Sequence, residues 1–157
     1  MTDVVDRKKR SKMMSGINGK NTKPEILVRS GLHRLGFRFR IHYRKLPGKP
    51  DIALPKHNAL ILIHGCFWHG HDCHLFRWPR TNTEFWQDKI QSNRARDTKQ
   101  RQHYRQNGWR TLVIWECALK GKHKRAFSSL LEEVRGWVED QKKDRDFSGV
   151  HSENTDE

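Results

Sequence analysis

Apolar side chains recur along this chain with two clear periods and one irregular interval. Val28, Leu32 and Leu35 follow at helical spacing behind Thr22-Lys23-Pro24-Glu25, a capping box with proline in the first turn. The spacing predicts a helix over residues 22–35, stopped at Gly36. Phe37, Phe39 and Ile41 then alternate with Arg38, Arg40 and His42, the period-two pattern of a half-buried strand. After the turn Leu46-Pro47-Gly48, residues 51–54 and 59–63 read as strands. Pro55-Lys56-His57-Asn58 joins them at hairpin length, so they pair antiparallel with Leu54 opposite Ala59. Residues 64–80 show no period and form a loop. Thr83 or a neighbour caps a long helix that runs to Asn107 and closes at Gly108, and residues 109–116 read as a strand. Strand, helix, strand implies a parallel pair. A last helix over 124–141 carries Leu130, Leu131, Val134 and Trp137 on one face. The order α, β, β, β, α, β, α describes an α/β fold with a mixed central sheet flanked by helices.

Charge adds a partner to this outline. Among 157 residues, 32 Lys and Arg face 18 Asp and Glu, a net charge of +14, which points to a polyanion. Seven acids and three bases fall in residues 139–157, leaving 29 bases against 11 acids in the rest. Three regions follow: a basic arm at 1–20, a folded body at 21–138, and an acidic tail at 139–157 that is expected to be disordered. Hydrophobic residues make up 34%, yet six Trp and seven Phe bury large areas from few positions. The longest apolar run, Ala59-Leu60-Ile61-Leu62-Ile63, is strand-sized and cannot span a bilayer. No apolar stretch follows Arg7-Lys8-Lys9-Arg10, so an intracellular location is expected, with no membrane partner.

Residues 64–80 hold four His, two Cys and four aromatic side chains, and an aperiodic segment so composed needs a metal or a function to order it. The third cysteine, Cys117, lies far away in sequence. If the strands around the long helix are parallel, both leave the sheet at one end, and Cys66 can meet Cys117 there. Three Cys and one His make a closed tetrahedral zinc set. Spacing leaves the histidine open, because His69 and His71 both lie between Cys66 and Cys73. The same hairpin register sets Asp51 opposite Leu62, one residue from Ile63. A hard cation such as Mg²⁺ takes one or two protein oxygens and a substrate phosphate, so one carboxylate and one carbonyl suffice. After Pro50 alone, Asp51 would read as a turn acid.

Arg10-Ser11-Lys12 with Met14, Leu46-Pro47-Gly48-Lys49-Pro50-Asp51, the block from His64 to Cys73, Thr83-Glu84-Phe85-Trp86, and Trp115-Glu116-Cys117-Ala118-Leu119 together carry a resemblance. Over about residues 5 to 137 the chain resembles the very-short-patch mismatch repair endonucleases, a branch of the PD-(D/E)-x-K nuclease superfamily. The resemblance implies a restriction-endonuclease-like fold with structural Zn²⁺ on Cys66, His71, Cys73 and Cys117. It implies catalytic Mg²⁺ on Asp51 and the Ile63 carbonyl, His69 at the attacking water, and Glu25 and Asp97 holding metal-bound waters. His64 stands where the wider superfamily has its lysine, and Leu62 where it has a second acid. Phe67 and Trp68 would intercalate beside a T:G mispair, Met14 would enter from the opposite groove, and Lys89 and Asn93 would contact the mispair. Arg94, Arg96, Lys99 and Arg101 would position phosphates. The implied activity is a strand-specific nick 5′ to the thymine of a T:G mispair left by deamination of 5-methylcytosine. It implies a monomer acting on double-stranded DNA at the nucleoid of the bacterial cytoplasm, linked in function to a DNA cytosine methyltransferase.

Several of these residues have plainer readings by sequence alone. Glu25 completes a capping box, and Lys89, Asn93 and Asp97 step by four along a helix flank as any solvated face would. Phe67 and Trp68 would serve equally as caps beside the zinc site. His69 stands out more, since an imidazole beside an activated water takes its proton near neutral pH. Two other functions compete: a non-catalytic zinc module that binds nucleic acid, and a restriction-type nuclease that cuts both strands of matched DNA.

Overall fold

The computed structural model describes residues 22–150. Helix α1 (Lys23–Arg34) opens at Thr22, whose side-chain oxygen accepts from the Glu25 amide at 3.5 Å. Strands β1 (Arg40–Ile41), β2 (Ile52–Leu54), β3 (Ala59–His64), β4 (Arg110–Trp115) and β5 (Arg145–Phe147) form one sheet in that order. β1, β2 and β3 pair antiparallel, whereas β3, β4 and β5 run parallel. The expected hairpin register holds, with Leu54 opposite Ala59. Asn58 closes its turn with a φ of 49°, which asparagine tolerates better than most side chains. Helix α2 (Thr83–Gln106) crosses from β3 to β4, the short α3 (Glu116–Leu119) follows β4, and α4 (Phe127–Glu139) precedes β5.

Two cores lie on opposite faces of the sheet. Ile52, Leu54, Ile61, Leu112 and Ile114 meet α1 and α4 through Val28, Leu32, Leu130, Val134 and Trp137. Ala53, Leu60, Leu62 and Val113 face the other way, toward Tyr104 of α2. A sheet covered on both sides explains why residues 59–63 are apolar without alternation. Over its 24 residues α2 buries only Ile90 and Tyr104, so most of this polar helix remains in solvent. Among the described residues no helix is long and apolar enough to cross a membrane.

Four expectations change. β1 has only two residues, and Ile41 is 44% exposed because His42 adopts a φ of 46° and ends the alternation. Asn82, the residue before α2, is left-handed and gives no side-chain cap, so that start is uncapped. β4 stops at Trp115, and α4 begins at Phe127 after a turn in which the Arg125 amide donates to the Ala118 carbonyl at 2.9 Å. The largest change is in the acidic segment, where residues 145–147 form an edge strand instead of fraying. Its acids meet bases: Asp144 accepts from Arg105 at 3.0 Å and Asp146 from Arg101 at 2.8 Å. Asp144 also accepts from the Thr111 amide at 2.8 Å, and Phe147, 1% exposed, joins the first core. The basic arm at 1–20, Met14 within it, and residues 151–157 lie outside the described residues.

Burial of Phe147 makes the correction testable. Phe147→Ala is expected to cost about 3–5 kcal/mol, the usual loss for a large aromatic cut from a core, read as a lower urea midpoint. A midpoint within error of the wild type would mean that the segment frays after all.

Candidate active site and metal centre

Ile63 pairs with Ile114 and His64 with Trp115, so β3 and β4 release their chains at the same end of the sheet. That end of an open α/β sheet is where loops gather around ligands. Cys66 leaves β3 there and Cys117 leaves β4, and the Cys117 amide donates to the Cys66 sulfur at 3.3 Å. Cys66, His71, Cys73 and Cys117 converge until their ligand atoms all lie within 4.8 Å of one another. The His71 Nδ1 is 3.6 Å from the Cys117 sulfur, and its ring stacks on Trp115 with centroids 4.1 Å apart. A hydrogen bond from the His71 amide to the Cys66 carbonyl (2.9 Å) fixes the turn that brings this ring, and not His69, to the thiols. Gly149, just past β5, donates its amide to the Cys117 sulfur at 3.2 Å. A Cβ there would stand 2.7 Å from the Cys117 carbonyl oxygen, so no larger residue fits that approach.

Burial pushes the Cys66 and Cys117 thiols above their usual range, with Cys73 adding to it, against the hydrogen bonds that the Cys117 amide gives Cys66 and the Gly149 amide and Cys66 give Cys117. Thiols so placed ionise readily only when a cation replaces their protons. Three sulfurs and one imidazole, with backbone amides aimed at two of the sulfurs, suit a metal of zinc's preferences.

Beside this centre lies a cleft of about 560 Å³ lined by Asp51, Ile63, His64 and His69 among others. The Asp51 carboxylate accepts from the Ile63 amide at 2.8 Å. Continuing the β2–β3 register by two residues sets Pro50 opposite Ile63, so the Ile63 carbonyl lies at the same strand end as the Asp51 carboxylate. Burial foremost, with the charge of Glu25 adding to it, raises Asp51 to about 7 against opposition from the Ile63 amide, His69 and Arg29. A divalent cation would favour the charged form of Asp51 against its burial, and carboxylate and carbonyl oxygens at this strand end suit a hard metal.

His69 Nδ1 lies 2.6 Å from an Asp97 carboxylate oxygen, a bond that reserves Nδ1 and leaves Nε2 to accept a proton. The His64 ring stacks on His69 at 3.8 Å, and burial first, then the charges of His69, Arg101 and His71, hold it well below its usual pKa. It stays neutral near pH 7. Glu25, 6% exposed, bonds Arg29 at 2.7 Å and His42 at 3.3 Å and lines the same cleft. Asp97 thus holds His69 directly, and Glu25 is engaged by two bases.

Phe67 and Trp68 line the cleft, belong to neither core, and meet Trp86 at 5.3 and 5.9 Å. Phe85 beside Trp86 is 60% exposed. Asn93 donates to the Trp68 carbonyl at 2.8 Å, and Asn93 and Lys89 border a depression of about 270 Å³ with Trp68 and His69. Arg94 is bonded to the Gly70 carbonyl and Arg101 to Asp146, so Arg96 and Lys99 are the more available bases on α2. Sequence reasoning passed over Glu116, which accepts from the Cys66 amide at 3.3 Å, and Lys49, Gln100 and Tyr104, which line the cleft. Parallel strand ends were signal enough for Glu116, the residue after β4.

A carboxyl raised by folding gives a pH signature. Between about pH 4 and 7 the folded state holds a proton on Asp51 that the unfolded state has lost. Its contribution therefore weakens the fold as pH rises through that window and is constant above it. With magnesium omitted, Asp51→Asn is expected to gain stability relative to wild type from pH 5 to pH 8, by paired urea titrations. A difference that does not change with pH would contradict a carboxyl raised by desolvation in the folded state.

Comparison with known proteins shows the family. A profile of the family described as DNA mismatch endonuclease Vsr matches residues 2–75. The chain is 40% identical to the DNA mismatch endonuclease Vsr of Escherichia coli (strain K12), over 96% of this chain and 98% of that one. It is 44% identical to the type II nicking enzyme V.XorIIP of Xanthomonas oryzae pv. oryzae, covering 76% and 88% of the two chains. With the type II nicking enzyme V.NmeAIP of Neisseria meningitidis it shares 46% identity, over 78% and 87%. Identity of this extent, reaching both the thiol centre and the acidic cleft, settles descent: the chain belongs to the Vsr family of DNA mismatch endonucleases, nucleases of the PD-(D/E)-x-K type.

Proposed function

We propose that this protein is a Mg²⁺-dependent, strand-specific endonuclease that nicks duplex DNA 5′ to the thymine of a T:G mispair, beginning very-short-patch repair. One observation carries the reading: a half-buried acid, Asp51, and an oriented imidazole, His69 on Asp97, share one cleft with the aromatic pair Phe67 and Trp68. The fold is read as restriction-endonuclease-like. Asp51 and the Ile63 carbonyl would hold Mg²⁺, which when bound neutralises charge developing on the phosphate. His69 takes the proton of the attacking water on Nε2, and Asp97 stabilises the imidazolium that results. Neutral His64 packs on the His69 ring and keeps it in place. Glu25 with Arg29 and His42 closes the acidic side of the cleft.

Cys66, His71, Cys73 and Cys117 would hold Zn²⁺ in a structural site with no open position. Phe67 and Trp68 act as apolar wedges that unstack the step beside the mispair, which is less costly to deform than a matched step. Lys89 and Asn93 border the depression where the displaced pair would lie, while Arg96 and Lys99 meet phosphates without reading sequence. The T:G pair implies a DNA cytosine methyltransferase upstream. The protein would act as a monomer in the cytoplasm, at the nucleoid.

The test is nicking of one duplex carrying a single T:G pair and of its matched counterpart, with and without Mg²⁺. A single nick in the thymine strand, only at T:G and only with Mg²⁺, is expected. Phe67→Ala with Trp68→Ala should lower the preference in binding at least about tenfold, since stacking on a base is worth about 1–3 kcal/mol, with weak binding to matched duplex unchanged. Cleavage of both strands of matched DNA would make the protein a restriction-type nuclease, and binding without cleavage would make it a recognition module. Full preference in the double variant would remove the aromatics from recognition.

A further inference from the structure

The turn leading into Asp51 is built from unfavourable backbone. Gly48 has a φ of 77° and Lys49 a φ of 45°, the second in a side-chain-bearing residue that also precedes proline. Neither the left-handed conformation nor anything helical suits the residue before a proline, so Lys49 is strained twice over. Strain of this kind persists only where the surroundings over-determine it, and it gathers at functional sites.

The surroundings of this turn meet that condition. The Tyr104 hydroxyl donates to the Pro47 carbonyl at 2.5 Å, anchoring the turn to α2. Gln100, one turn earlier on the helix, lies so close that a Cβ on Gly48 would stand 2.5 Å from its side-chain nitrogen. On the far side the Tyr43 amide donates to the Pro50 carbonyl and the His42 amide to the Asp51 carbonyl, both at 3.0 Å. Three hydrogen bonds and one close approach, from α2 and from the segment after β1, thus hold a lysine at the rim of the cleft that contains Asp51. Packing alone does not call for a lysine there: its side chain is exposed and makes no hydrogen bond or ion pair with a described residue. The other lysine lining the cleft, Lys120, is already paired with Glu116 at 3.0 Å.

We propose that Lys49 is a catalytic residue, held by this strained turn so that its ammonium meets a non-bridging oxygen of the phosphodiester lying over Asp51. The inference rests on the nuclease reading above and adds to it the cation that faces the substrate. During hydrolysis the water oxygen bonds to phosphorus, the bond from phosphorus to the leaving sugar oxygen breaks, the water proton passes to His69, and the leaving oxygen takes a proton from solvent. Lys49 keeps its own protons throughout. It stabilises the charge that grows on the non-bridging oxygens, which a preorganised cation does without reorganising.

Glycine occupies left-handed backbone at no cost, so Lys49→Gly removes the amine and keeps the turn. Its melting temperature is expected to equal or exceed that of the wild type. The single-turnover nicking rate on T:G duplex, at saturating enzyme and Mg²⁺, should fall about 100-fold, the scale of losing one preorganised charge-stabilising group. Dissociation constants measured by titration without Mg²⁺ should rise less than about threefold, and Lys49→Arg should recover most of the rate. An unchanged rate in Lys49→Gly, a loss confined to affinity, or an arginine variant as slow as the glycine one would each overturn the assignment. A wild type that fails to nick T:G duplex would overturn the nuclease reading itself, an outcome separate from these.

Discussion

Parallel pairing of β3 with β4 is the constraint on which the rest depends. Their shared end gathers Cys66 and Cys117 from opposite ends of a long crossover, and the same end carries Ile63, His64 and Glu116 into the cleft. A parallel pair needs a crossover connection, and here it includes the 24-residue α2. That helix returns Asp97, Gln100 and Tyr104 to the cleft on its way back to the sheet. Fold and site therefore share one topological cause.

The groups gathered there oppose folding. Asp51 is held near 7 by burial, His64 is kept neutral, and the thiols of Cys66 and Cys117 are pushed up. What offsets them is local and polar: the Ile63 amide on Asp51, Asp97 on His69, and amides of Cys117 and Gly149 on two sulfurs. β5 enters this balance twice. Gly149 stands two residues past its end, and Asp146 within it accepts from the Trp115 indole at 3.1 Å, the ring on which His71 stacks. An acidic segment that composition marks as a tail is part of the frame around the thiol centre.

How far the sequence was legible follows from the range of each interaction. The β2–β3 register could be read from a four-residue turn, and the meeting of Cys66 with Cys117 from the order of elements. Choosing His71 over His69 could not, because both lie between Cys66 and Cys73, and it takes the turn bond from His71 to Cys66, the stacking of His71 on Trp115 and the hold of Asp97 on His69 to decide which ring faces the thiols. β5 escaped because three residues with a single apolar side chain, Phe147, carry no period. Glu25 and Asp97 were visible only through family resemblance, since each had a sufficient local reading. Lys49 was invisible for a different reason: its distinguishing feature is a backbone angle, and lysine does not advertise one.

The central claim is that the thiol centre and the cleavage cleft depend on each other through the loop leaving β3. It is tested most directly on protein loaded with zinc, the metal proposed for the thiol centre, by stripping that metal with a chelator that spares magnesium while its release and single-turnover nicking of T:G duplex, the proposed substrate, are followed at the same times. Loss of nicking at the rate of zinc release, with magnesium in excess throughout, is the predicted result. Full nicking after the zinc has gone would show that the cleft stands without the metal centre, and would contradict the account.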